Sequence, residues 1–192
     1  KLALQQLLIA GGLDSERDVQ IMSLPGAERP GISFGVFAAQ ALEEGQIDGF
    51  WANAMGAEVS IRRGVGKILF DVRRGDGPAA ARHFTFAALA TTEELIARDL
   101  DCVAAAVRAI VKTQQALRAD PTRAAEVGKR RFPPDAAKLI VTLVERDLPF
   151  YNPVISEEAV AGLNRFTQSV GLLPGPVPYE QVVAVQFRDL WR

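Results

Sequence analysis

Residues 34–51 read FGVFAAQALEEGQIDGFW, and the fold turns on what this stretch becomes. Phe37, Ala38, Ala41 and Leu42 recur at helical spacing, so residues 34–44 predict a helix with one buried side, ended by Gly45. The next residues, IDGFW at 47–51, predict a brief strand directly behind it. Helices that run at once into strands build mostly parallel sheets with helical crossovers.

The flanking segments extend that pattern in both directions. Upstream, residues 2–10 carry Leu2, Leu4, Leu7, Leu8 and Ile9 and predict a helix stopped by Gly11 and Gly12. Residues 18–24, DVQIMSL, alternate well enough for a short strand, and Pro25-Gly26 and Pro30-Gly31 then mark a loop. Downstream, residues 52–63 predict a loop and short helix, and residues 67–72, KILFDV, another strand. Residues 73–77, RRGDG, form a turn signal, and residues 82–89 read as extended.

The chain changes character near residue 91, where TTEE at 91–94 has the pattern of a capping box and opens a run of helices. The clearest covers residues 100–118, with Val103, Val107, Ile110, Val111 and Leu117 at near-helical spacing. Asp120 and Pro121 are placed to cap a short helix with proline at its first position. Pro133-Pro134 precede a helix to residue 146 with Ala137, Ile140, Val141 and Val144 as its stripe. Ser156 caps a helix to residue 170, Gly171 follows, and the segment from Tyr179 to Trp191 starts helical.

The composition fits a globular chain of one domain or two small ones, with 192 residues and a formal charge of -1. No Lys/Arg stripe supplies the footprint that nucleic-acid binding requires. The longest apolar stretches are broken by charge well short of a membrane span. Cys102 is the single cysteine, which excludes an intrachain disulfide and a Cys-based metal site, and it reads as an inert core thiol. His83 is the single histidine and reads as a packed structural residue, which leaves little for a His-based triad or a multi-histidine metal centre. Gly64-Val65-Gly66-Lys67 lacks the span and the Ser/Thr of a phosphate loop, and reads as a turn into the strand at 67–72. The acidic pairs Glu43-Glu44, Glu93-Glu94 and Glu157-Glu158 sit near helix ends, where capping and solvation explain them.

The order of motifs carries a family resemblance. The chain reads LALQQLLIAGGLDSERDVQIMSLP at 2–25 and AAQALEEGQIDGFWANAMGAEV at 38–59. Gly12-Leu13, Asp18-Val19 and the turn Gly45-Gln46-Ile47-Asp48-Gly49 resemble the second lobe of ABC-importer solute-binding proteins. The branch concerned is the nitrate/sulfonate/taurine one, which also includes binders of thiamine-pyrimidine precursors. The segment ATTEELIARDLDCVAAAVRAIVKTQQALRADPTRAAEVGKRRFP at 90–133, Val154-Ile155-Ser156 and Gly171-Leu172-Leu173 match the later part of the same pattern.

That resemblance implies an α/β fold, a partial type II periplasmic-binding-protein architecture with a Rossmann-like lobe and a C-terminal helical region. It places the second lobe at residues 1–80, the returning connection between lobes at 81–92, and helices belonging to or packing on the first lobe at 93–192. It further implies more chain ahead of residue 1, including a signal peptide in the precursor and the opening strand of the lobe. The implied role is extracytoplasmic or periplasmic capture of a small organic or oxyanionic solute without catalysis or a cofactor. The loaded protein would be delivered to a transporter's membrane permease, with peripheral rather than integral membrane association.

By the same resemblance the end of the strand at 47–51 faces the cleft, so Phe50, Trp51 and Asn53 are the expected ligand contacts. Ser33 joins them from the loop at 25–33, where backbone N–H groups at a helix start suit an anion. Gly45, Asp48 and Gly49 are expected to serve the turn itself. Three other functions remain open at this point: a transcription regulator's effector domain, an enzyme of thiamine-pyrimidine biosynthesis, and a structural interaction module. The first would need a DNA-binding segment, and the second an active-site histidine and a pyridoxal-binding lysine.

Overall fold

The computed structural model describes residues 1–27, 33–83 and 87–192, the side chains of residues 135 and 136 excepted. Residues 34–51 form a helix, α2 (Phe34–Glu43), but no strand follows it. Residues 47–51 are irregular, as are 18–24 and 67–71. The expected extended segment at 82–89 starts instead inside a 3₁₀ helix, Ala79–His83, and residues 84–86 lie outside the described residues. Among the described residues there is no β-strand. The α/β expectation, with its Rossmann-like lobe and periplasmic-binding architecture, is therefore overturned in favour of an all-helical fold.

The physical reason lies in what a strand needs. Each proposed strand is only five to eight residues long, and among the described residues none pairs with a neighbouring strand, so alternation alone cannot hold a ladder. The alternation itself is real. Val19 and Ile21 are half-buried while Gln20 and Met22 are exposed.

The helices follow their sequence signals closely. Residues 2–10 form α1 (Leu2–Ala10), and residues 54–62 form α3 (Ala54–Arg62). Gly45, with φ 69°, ends α2. Its N–H donates to Leu42 O, and the Gln46 N–H donates to Ala41 O, which is the paired bonding of a left-handed glycine cap. The same pair of bonds closes α1 at Gly12 and α3 at Gly64. Gly64 is thus a helix cap and not part of a phosphate loop.

The second half continues as helices. Thr92 caps α4 (Glu93–Arg98) by accepting from the Leu95 N–H, and Asp99 caps α5 (Leu100–Ala119) through Cys102 N–H. Because α5 buries Val103, Ala104 and Val111, Cys102 sits off that face and is exposed rather than in the core. Asp120 accepts from both the backbone and the hydroxyl of Thr122. This turn holds Pro121 outside α6 (Arg123–Arg131), which begins two residues later than expected. Pro134 opens α7 (Pro134–Asp147), whose deepest residues are Leu139 and Leu143, one position round from the expected stripe. Ser156 caps α8 (Glu157–Ser169), and a short α9 (Tyr179–Val182) leads into a 3₁₀ helix, Val185–Trp191.

Burial is divided among clusters rather than gathered in one core. Ala39, Met55, Val59, Leu139 and Leu143 join α2, α3 and α7. Leu7, Ala81 and Phe166 join α1, the 3₁₀ turn at 79–83 and α8. Val103, Ala104 and Phe187 join α5 to the C-terminal 3₁₀ helix.

Candidate functional site

The expected contacts from residues 33–53 are dispersed. Phe50 is half-buried against the α2/α3/α7 cluster, whereas Trp51 packs on the α1/α8 cluster. Asn53 is the N-cap of α3, its Oδ1 accepting from Gly56 N–H at 3.3 Å. Ser33 stands at the N-cap position of α2 but makes no capping bond with its side chain. Gly35 and Gly56 meet where α2 and α3 cross, and Asn53 Oδ1 lies against Gly35. The aromatic pair does not join them. Asp48 and Gly49 are exposed, and only Gly45 has a defined turn role. The expected anion loop at 25–33 falls largely on 28–32, outside the described residues.

A different set of residues lines an open surface depression of about 540 Å³ at the start of α8. Val154 and Ile155 form part of its wall, with Ser156 and Glu157-Glu158 at the helix N-terminus. Tyr179, Arg188, Trp191 and Arg192 close it from the other side.

Local bonding explains how these segments meet. Ser156 Oγ accepts from the Ala159 N–H at 3.1 Å, fixing the first turn of α8. About two turns further on, the Asn164 side chain donates to Val177 O at 2.8 Å and accepts from Val177 N–H at 3.0 Å. That two-point clamp holds the approach to α9, and Tyr179 Oη then donates to Ile155 O at 2.5 Å. Buried Phe187 anchors the C-terminal 3₁₀ helix on α5. With Phe187 inside, exposed Arg188 turns to the pocket, its guanidinium 5.8 Å from the Tyr179 ring centre.

Electrostatically the pocket is mixed. Arg188 and Arg192 form no ion pair among the described residues, and the α8 N-terminus adds the positive end of its dipole. Glu157 and Glu158 place carboxylates on the same rim. Glu158 approaches His83 Nε2 at 3.7 Å. His83 itself is pressed against Gly162 of α8, which fits its expected structural role.

The strongest charge cluster elsewhere is internally matched. Asp71 takes Arg73 through Nε and Nη2 at 3.0 and 2.7 Å, and Arg73 Nη1 reaches Asp147 at 2.7 Å. Asp147 meets Arg146, which reaches Glu58, which in turn holds Arg62 at 2.6 Å. The Arg73 guanidinium beside Asp71 holds that carboxyl below its ordinary value, while Arg73 itself is pushed up. Burial, and next the Asp147 carboxylate, push the Tyr151 phenol up. Every carboxylate in this chain of charges already faces a guanidinium, so it fastens α3, α7 and the 3₁₀ turn Val72–Arg74 together.

Sequence reasoning missed Tyr179, Arg188, Trp191 and Arg192 as site residues. Their signal was the compact RDLWR at 188–192, two cations flanking an aromatic at helical spacing. Among the described residues no group of three or more His, Cys, Asp or Glu side chains is placed to hold a metal ion. No described helix is long and apolar enough to cross a membrane. Comparison with protein-family models, curated proteins and solved structures found no match.

Proposed function

We propose that this chain captures a small organic or oxyanionic solute, such as a sulfonate, nitrate, taurine or a pyrimidine, without transforming it. The observation that carries this reading is that Arg188 and Arg192, in no ion pair among the described residues, line one pocket with Tyr179 and Trp191, Arg188 lying over the Tyr179 ring. Guanidinium groups suit oxyanions because their fork of donors matches planar acceptor oxygens. The rings cover an apolar portion of the solute, and Glu157 or Glu158 is placed for an amino group.

The wider role we propose is the extracytoplasmic binding component of an ABC importer, docking on a membrane permease. Its support is the motif order at 2–59 and 90–133, and it does not depend on closure of two α/β lobes. In this scheme capture is reversible, and the helical pocket itself is the binding element.

Trp191 offers a direct test. In a Trp51→Phe variant it is the remaining tryptophan, so its emission reports the pocket. Titration with nitrate, taurine, methanesulfonate and a pyrimidine should give a saturable change with at least one of them. An unchanged spectrum with every solute would count against the reading.

A further inference from the structure

The near-neutral total charge conceals a strong asymmetry. Residues 108–138 contain eight Lys/Arg and three Asp/Glu, against fourteen and twenty in the remainder of the chain. Part of this positive charge gathers on α6. Ala124 and Gly128 bury one side of this helix, with Gly128 fitted against Ile140 of α7. The solvent side carries Arg123, Val127 and Arg130 at i, i+4 and i+7, a stripe roughly a third of a turn round from Ala124 and Gly128, with exposed Glu126 alongside it. Lys129 and Arg131 flank it, and Phe132 follows at the helix end.

All four cations of α6 are exposed. Lys129 is paired with Glu126 at 3.1 Å, whereas Arg123, Arg130 and Arg131 have no ion pair among the described residues. Between these charges two apolar side chains face solvent, Val127 at 51% and Phe132 at 46% exposure. The pocket at the start of α8 draws no residue from α6.

We propose that the α6 face is a docking surface for an anionic phospholipid bilayer. The surface is a convex helix side rather than a groove, which suits a broad plane of phosphates better than an inserted peptide. Apolar side chains interspersed with cations match the headgroup boundary, where phosphate contacts lie beside accessible hydrocarbon. The acidic remainder of the chain is repelled by the same surface, so approach is oriented with α6 towards the lipid. The proposal is independent of the solute pocket, which lies on α8 and the C-terminal 3₁₀ helix.

Sedimentation with vesicles tests it, comparing phosphatidylglycerol–phosphatidylcholine mixtures with phosphatidylcholine alone. The expected result is binding to the anionic vesicles only, weakened by salt and reduced roughly fivefold for each α6 cation removed. Arg123→Ala, Arg130→Ala and Arg131→Ala together should nearly abolish it, while the three Arg→Lys changes retain it and guard against misfolding. Arg17→Ala and Arg98→Ala, on other exposed segments, should leave it unchanged. Equal binding to neutral vesicles, or no binding to anionic ones, would overturn the proposal. So would a loss equally large in the Arg17 and Arg98 variants, or salt-sensitive self-association through α6 in place of lipid binding.

Discussion

At the residue scale, the crossing of α2 and α3 leaves no room for a side chain at either of its glycines. A Cβ on Gly35 would lie 2.9 Å from Gly56 N, and one on Gly56 would lie 2.7 Å from Gly35 O. Both obstacles are backbone, so an added methyl must push the helices apart. Gly56→Ala is expected to destabilise the protein by about 1–3 kcal/mol, read from the urea midpoint. A neutral result would mean that the helices do not cross at these glycines. Asn53→Ala should lose its cap at a cost of about 1 kcal/mol. Asn53 shows how far a sequence reads at this scale. Its position before a helix was legible, but the same amide suits a ligand or a cap, and the capping bond from Gly56 N–H is visible only in the structure.

Elements were the most legible scale, though unevenly so. Helices carry their own hydrogen bonds, so Gly45, Thr92, Pro134, Ser156 and the Val103–Val107–Val111 spacing mark them from local information. Strands depend on partners far away in sequence, which is why DVQIMSL at 18–24 and KILFDV at 67–72 were misread. The pocket was illegible for a related reason. Its two sides, 154–158 and 179–192, meet through the Asn164 clamp on Val177, and nothing local announces that bond. Asn164→Ala should release the approach to α9, lower stability by about 1–3 kcal/mol for the unsatisfied groups left behind, and loosen the pocket.

The charge chain across α3, α7 and residues 71–74 gives a pH prediction at the same scale. Asp71 is held below its ordinary 3.8 by Arg73, so its stabilisation is complete above that value, where folded and unfolded chains are both ionised. It is lost as pH falls from 3.8 through the lowered folded value. Asp71→Asn should therefore flatten the acid limb of stability over that window, measured by urea midpoints at successive pH values. An unchanged acid limb would remove Asp71 from the account.

For the whole molecule, the accessible surface is 12801 Å² for 20.8 kDa. A compact monomer of this mass exposes about 9,000 Å². The excess agrees with burial split among clusters, and it predicts unfolding that is not a single cooperative step. Trp51 packs on the α1/α8 cluster and Trp191 ends the 3₁₀ helix whose Phe187 packs on α5, so single-tryptophan variants should show separate urea midpoints. Coincident midpoints that also match far-ultraviolet circular dichroism would show that the clusters act as one core.

The central claim is that an oxyanionic solute binds between Arg188 and the Tyr179–Trp191 surface. Calorimetric titration of the wild-type chain and Arg188→Ala with nitrate, taurine, methanesulfonate, benzoate and a pyrimidine tests it most directly. Saturable binding of at least one solute is expected, weakened roughly 10- to 100-fold in the variant by loss of the charged hydrogen bonds, with its circular dichroism unchanged. No binding by any solute, or equal affinity in the folded variant, would contradict it.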